Sequence, residues 1–329
     1  MFITNITLQN YHQFEDLVLD LTYPKNHQKA GQPLSKICFI GPNGVGKSTI
    51  MEFVMKYCND SKITNEVKML AIPEKIFYMP DTIAHTPKFD GVGVEVVKIG
   101  EDTQNLSKLV GSLEQEYTQS IKLHNKFPDL IEPIDPISPM FEWFIAKMSN
   151  LNFRYAYFED NQIYFRINDT KKFIPITKLS SGTRQLMAKL LPLRHQNPSN
   201  SLIFIDQPED ALFPSLQKQI VSFYSSIGQN NQLFVATHSP LIASQFEPCE
   251  IFALDFKNDK IILRKRPSGS EGWGVDKFLY HWFGVKTESD SYLTLKNRFF
   301  ALLAQEDHSE YDLLEINELK NNPILQDLF

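Results

Sequence analysis

The chain has 329 residues, 33 of them basic and 39 acidic, for a formal net charge of −6. That balance argues against a surface that coats nucleic acid without specificity, though a dimer could still carry a local basic groove. With 42% hydrophobic and 22% charged residues, the composition excludes global disorder and supplies a sizeable packed core.

The N-terminus, MFITNITLQNYHQFEDL, has no basic region followed by an apolar run, so no secretory signal is predicted. No stretch approaches the ~20 apolar residues of a membrane span. The chain therefore reads as a soluble, cytoplasmic protein with no membrane partner. Residues 1–21 alternate between apolar and polar positions, as half-buried antiparallel strands do. The polar stretch 24–35 is a loop, and KICFI (36–40) is a buried strand. A glycine-rich turn follows, and then TIMEFVMKYC predicts a helix. EKIFYM (74–79) is another buried strand, with a loop after it.

Residues 103–150 have a mixed helical pattern cut by PDLIEPIDPISPM, whose prolines exclude one continuous helix. Sustained heptads are missing, so no coiled-coil arm is expected. Residues 152–168 predict a hairpin with its turn near Asp160-Asn161. Strand and helix then alternate: 201–206 strand, Pro214 to Ile227 helix, 232–237 strand, with 251–256 and 260–265 closing the sheet. This order predicts a mostly parallel α/β sheet. From about Gly274 the chain is predicted helical, ending in an acidic run that suits a solvated face. Cys38, Cys58 and Cys249 are scattered, odd in number and without metal-ligand spacing, which suits buried thiols in a reducing compartment.

Two segments carry chemistry. Gly41-Pro-Asn-Gly-Val-Gly-Lys-Ser48 fits G-x-x-x-x-G-K-[ST] between a buried strand and a helix. Its glycines let backbone N–H groups wrap phosphates, and the helix N-terminus adds positive potential. Gly41, Asn43, Gly44, Gly46, Lys47, Ser48 and Thr49 are the expected nucleotide-binding residues. Lys47 should reach the β- and γ-phosphates, and Ser48 should ligate Mg²⁺. Downstream, SLIFID ends in Asp206, a carboxylate at the end of a rigid strand suited to positioning Mg²⁺.

Further motifs resemble the ABC-type P-loop ATPases. Lys178-Leu-Ser-Ser-Gly-Thr-Arg-Gln185 is similar to the family signature, Asp210-Ala211-Leu212 to its D-loop, and Ala236-Thr-His-Ser-Pro240 to its switch-histidine loop. The N-terminal hairpin and DQPEDALFP (206–214) resemble the SMC, RecF and OLD side of the superfamily more than transporters. The resemblance covers roughly residues 1–57 and 175–265. It implies an ABC-ATPase-like α/β fold: a mostly parallel central sheet, an N-terminal antiparallel subdomain, a helical insertion at about 100–150 and a C-terminal helical region. Residues 1–270 would form the ATPase domain, and 271–329 the C-terminal helical region.

The resemblance also implies the mechanism. Ser180, Ser181 and Gly182 would contact the γ-phosphate of ATP held by a second copy, and His238 would sense that phosphate. ATP and Mg²⁺ would therefore cement a dimer that hydrolysis releases.

Two positions depart from the family. Its general base is the glutamate after the strand aspartate, and here that place is Gln207. An amide can hold a water by hydrogen bonding but cannot take its proton. Slow hydrolysis is therefore expected, either from an engineered exchange that traps the ATP state or in a natural slow sensor. The intactness of the other motifs favours the former, and Glu209 is a poorer substitute base. The family's Q-loop glutamine also has no clear counterpart, and Asp81 or a neighbour would fill its place.

Similarity to ATPases of phage-defence modules (Septu, PARIS and retron-associated) implies a regulatory dimer or larger assembly that restrains a toxic effector, commonly a nuclease. No zinc-type or HNH-like spacing is present, so a partner would carry such chemistry. The segment 271–291, with aromatics beside charges, would dock that partner or cap the sheet. The alternative is a RecF-like repair ATPase clamping DNA in its ATP-bound dimer.

Overall fold

A computed structural model describes residues 2–59, 66–80, 94–100, 103–128, 130, 132–148, 151–168, 170–258, 260–264, 278–284, 290–305 and 307–322. The chain divides into two compact units, Met1–Glu271 and Gly272–Phe329.

In the first unit, β1 (Ile3–Tyr11) and β2 (Phe14–Asp20) form an antiparallel hairpin, extended by β4 (Glu66–Met69) on the free side of β1. The central sheet contains β3 (Lys36–Ile40), β5 (Lys75–Met79), β6 (Glu95–Lys98), β10 (Leu202–Asp206), β11 (Gln232–Ala236), β12 (Ile251–Lys257) and β13 (Lys260–Leu263). Their order is β13-β12-β3-β11-β10-β5-β6, and only β13 is antiparallel. This is the mixed α/β fold with a mostly parallel sheet that the strand–helix alternation predicts. The inner strands are continuous apolar runs because both of their faces are covered. Phe204, Phe234, Phe39 and Phe252 run side by side across β10, β11, β3 and β12, with centroids 4.8, 6.4 and 6.0 Å apart. Each is fully buried, which stabilises the fold by about 1.5–3 kcal/mol per ring.

A buried amide fixes the hairpin to this sheet. Gln232 Oε1 accepts from the Ile3 N–H at 2.6 Å, and its Nε2 donates to the carbonyls of Ile3 (3.0 Å) and Leu34 (2.8 Å). At the other end of β1, Tyr11 packs edge-on against Phe53 of α1 (Lys47–Asn59), with centroids 4.9 Å apart. The hairpin tip is thereby held over the start of α1.

The insertion contributes α2 (Thr103–Lys126) and α3 (Ser138–Lys147), separated by the proline-rich stretch as expected. They cover one face of a second antiparallel sheet, formed by β7 (Phe153–Glu159), β8 (Gln162–Ile167) and β9 (Phe173–Pro175). Asp160 and Asn161 turn the β7–β8 hairpin with left-handed backbones, φ 49° and 59°. Beyond β9 lies α4 (Ser181–Gln196).

The helix expected from Pro214 to Ile227 is two pieces, α5 (Pro214–Gln217) and α6 (Ile220–Ser225). The Gln245 side chain is wedged into the break. Its Nε2 donates to the Gln217 carbonyl at 2.5 Å, and its Oε1 accepts from the Val221 N–H at 3.3 Å. These are the two groups a continuous helix would have joined, so the inserted amide breaks the ladder. A short helix α7 (Pro240–Ala243) follows β11.

In the second unit, α8 (Asp290–Leu303) and α9 (Glu310–Lys320) pack through Phe299, Leu302 and Leu319, and Arg298 forks onto Glu315 at 2.8 and 2.7 Å. The 271–291 segment lies partly outside the described residues. Within them Tyr280 is exposed, and Phe278 and Trp282 are buried. No described helix is long and apolar enough to cross a membrane. The three cysteines are free thiols, and burial pushes Cys58 up to about 12.

Candidate nucleotide-binding site

The site gathers where β3, β10 and β11 end side by side. The turn from Gly41 leads out of β3, and α1 begins at Lys47. Gly46 has φ +90°, and a Cβ there would come within 2.3 Å of Gln13 Nε2 and 2.5 Å of the Phe14 ring. Gly41 has φ +148°, and a Cβ would lie 2.3 Å from the Leu254 carbonyl oxygen. Neither position admits a side chain, so the loop stays pressed between the hairpin tip and β12. On its open side is a pocket of about 340 Å³ lined by Asn43, Gly44, Gly46, Lys47, Ser48 and Thr49 from the loop and helix. Gln207, His238 and Gln13 complete it.

Lys47 is almost fully buried and its Nζ donates to the carbonyls of Gly41 and Pro42, both at 3.0 Å. Burial holds its pKa below the ordinary lysine value, and the negative charges of Asp206 and Glu209 oppose that shift. Asp206, the last residue of β10, is 5% exposed and close enough for its charge to act on Lys47. The Ser48 hydroxyl and the Asp206 carboxylate are hard oxygen donors of the kind Mg²⁺ selects, so the residues present fit that ion.

The backbone at Gln207 is left-handed (φ 47°), and its N–H donates to the Ala236 carbonyl at 2.9 Å. That conformation costs a non-glycine residue about 1–2 kcal/mol. It coincides with the side chain lining the pocket.

Glu209, offered by the sequence as a substitute base, has both carboxylate oxygens occupied. Oε2 accepts from Thr237 Oγ1 at 2.7 Å, and Oε1 accepts from the His238 N–H at 2.6 Å. Thr237 Oγ1 in turn accepts from the Ser239 N–H (2.9 Å), and Ser239 Oγ donates to Gln217 Oε1 (2.6 Å). Glu209 therefore fixes the turn that presents His238. Burial and the nearby Lys47 charge lower the His238 pKa, with Glu209 opposing, so the imidazole is neutral at physiological pH.

Glu209→Gln should loosen this turn, because one oxygen becomes an NH₂ facing a donor. The expected loss is about 1–3 kcal/mol in chemical denaturation. An unchanged denaturation midpoint would mean that the carboxylate does not hold the loop.

Ser180, Ser181 and Gly182 do not line the pocket. Ser180 caps α4, its Oγ accepting from the Thr183 N–H at 3.3 Å, and Ser180 and Ser181 are exposed. Gly182 packs on the loop after β10, where a Cβ would sit 2.3 Å from the Ala211 carbonyl oxygen. Ala211 itself is left-handed, φ 55°. Gln13 was missed from sequence. Its Nε2 donates to Thr49 Oγ1 at 3.5 Å, and nothing local to a hairpin turn signals that placement. Asp81 lies outside the described residues.

Comparison with known proteins adds a family. Residues 82–244 match the model described as "AAA domain, putative AbiEii toxin, Type IV TA system", and residues 1–86 match an AAA ATPase domain model. A search of curated protein sequences finds no match. Among solved structures the chain is similar to the SMC head domain of Thermotoga maritima, with 12% identity, TM-score 0.43, and 80% of this chain and 100% of that one covered. It is also similar to an SMC head bound to the C-terminal winged-helix domain of ScpA, with 10% identity, TM-score 0.46, and 80% and 98% covered. The two family matches run without a gap from residue 1 to residue 244, across the phosphate loop, the signature-like helix and the histidine turn. Both matched models describe AAA-type ATPase domains, and together they support reading the chain as a P-loop ATPase of the AAA/ABC type.

Proposed function

We propose that the chain is the regulatory ATPase of a bacterial anti-phage defence system, closing as a dimer on ATP in the cytoplasm and restraining a toxic effector, a nuclease in the simplest case. The observation that carries the dimer is the split in the site. Asn43, Gly44, Gly46, Lys47, Ser48, Gln207 and His238 converge on one pocket, while Ser180 and Ser181 stand exposed outside it. Short hydroxyl residues at the N-terminus of the 16-residue α4 make an anion site. A second copy would bring that site to the γ-phosphate. The toxin–antitoxin description of the matched family supports the defence role.

Within the pocket, backbone N–H groups of Asn43, Gly44 and Gly46 cradle the phosphates, and Lys47 moves from its carbonyl partners to the β- and γ-oxygens. Ser48 and Asp206 would hold Mg²⁺, which neutralises charge on the phosphates when bound. Gln207 orients a water without taking its proton, so ATP is held longer than it is cut. Neutral His238 donates toward the γ-phosphate.

Native mass spectrometry of the tagged chain from its own host, with ATP-Mg²⁺ present, tests this reading. Two copies plus a partner chain are expected. A bare homodimer, or one carrying only DNA, would overturn the effector assignment.

A further inference from the structure

The outer face of the β7–β8–β9 sheet is not built like an ordinary solvated face. Its inner face is conventional, with Phe153, Ile163 and Phe165 buried and Tyr155 stacked on Phe141 at 4.9 Å. An exposed antiparallel face normally carries small polar and charged residues. Here the register sets Tyr157 beside Tyr164 and Pro175 in one row, and Arg154 beside Arg166 and Phe173 in the next. Tyr157 and Tyr164 stack at 4.8 Å and 18°, and Tyr157 meets Phe173 at 5.5 Å and 57°. Tyr157 is 37% exposed and Phe173 48%, so the aromatic surface is open to a ligand.

The charges on this face are also set against folding. Arg154 and Arg166 lie directly opposite each other, and like charges in that position destabilise a strand pair. Among the described residues neither has a carboxylate partner in an ion pair. Exposed Lys171 and Lys172 stand in the following turn, while Glu159 and Asp160 are at the far hairpin tip and Asp169 lies outside the described residues. Arg154, Arg166, Asn168, Tyr157 and Phe173 line a concavity of about 710 Å³. A polyanion would relieve the repulsion between the arginines, and flat π-faces beside them accept bases of any sequence.

We propose that this face binds single-stranded nucleic acid, with bases stacked on Tyr157, Tyr164 and Phe173 and phosphates on Arg154 and Arg166. A duplex keeps its bases stacked inside and offers nothing to the aromatic row. An acidic protein segment meets the arginines but does not bring a planar group with every charge, as a nucleotide strand does. The site is independent of the effector reading and separate from the nucleotide pocket.

The test is fluorescence anisotropy of the full chain with a labelled 15-nucleotide oligothymidylate, a duplex of equal length and a single thymidine nucleotide as competitor. The expected result is salt-sensitive strand binding, weaker duplex binding and no competition by the mononucleotide. Arg166→Gln should weaken strand binding at least about tenfold through the lost phosphate contact, and Tyr157→Ala by about fivefold or more through lost stacking. Binding of a fluorescent ATP analogue should be unchanged in both. The melting temperature of Arg166→Gln should be equal or higher, because the opposed charges are gone, which separates lost binding from lost folding. Absent strand binding, strand binding by both variants as tight as that of the unaltered chain, equal duplex affinity, or displacement by the mononucleotide would each overturn the proposal.

Discussion

Replacing Gln207 by glutamate is expected to raise steady-state ATP turnover by about 10²- to 10⁴-fold, the range a positioned general base contributes. Everything else the position needs is already present. The residue follows Asp206 at the end of β10, lines the pocket beside Lys47 and His238, and is held left-handed by its hydrogen bond to Ala236. Glutamate has the same length and the same backbone demands, so the exchange adds a proton acceptor and moves little else. Glu209 cannot already be filling the role, because both its oxygens accept hydrogen bonds from the histidine turn. The variant's rate should rise with pH as the new carboxylate ionises. Phosphate release at saturating ATP-Mg²⁺ is the measurement. A change of less than about twofold would mean that a second group is missing and that the pocket does not support hydrolysis of this kind.

The parts of this site legible in the sequence are those whose reasons are local. A glycine at 41 or 46 is required because no Cβ fits, and a serine at 180 is favoured because it caps the helix that starts one residue later. The mostly parallel character of the sheet followed from apolar runs alternating with helical segments, since parallel strands need a crossover between them. What the sequence did not show depends on residues brought together from far apart. Gln13 reaches Thr49 only because Tyr11 rests on Phe53 and Gln232 anchors the other end of β1. Glu209 serves the histidine turn only because β10 and β11 are neighbours and end together. The break at residues 218–219 is set by Gln245, a side chain from beyond the next strand. Helical periodicity carries no trace of an amide arriving from elsewhere. The aromatic–arginine face was equally hidden, because a bulge between Tyr155 and Tyr157 shifts the alternation of β7 and brings Arg154 and Tyr157 to one side.

Lys47→Ala is expected to abolish ATP-induced stabilisation and ATP-dependent dimerisation together. In this structure the ammonium is buried, with its pKa lowered by that burial, and rests on two carbonyls of its own loop. Those neutral acceptors are a holding position. Phosphate oxygens carry full charge and make stronger bonds to an ammonium, so the lysine should transfer to them on binding. For the unaltered chain, ATP-Mg²⁺ at a hundred times its dissociation constant should stabilise the fold by about 2.7 kcal/mol, which is several degrees of melting temperature. The alanine variant should show no shift at the same concentration, and size-exclusion chromatography with ATP should show a monomer. Its ligand-free melting temperature should stay within a few degrees, because the lost contacts to Gly41 and Pro42 are offset by relief of a buried charge. A retained ATP shift would remove Lys47 from the binding site. Combining the change with Gln207→Glu separates binding from chemistry. If Lys47 holds the phosphates that the glutamate would act on, the double variant should be as inactive as Lys47→Ala alone, because a base cannot contribute where no nucleotide is held. Turnover restored in the double variant would show that the phosphates are held by something other than this lysine.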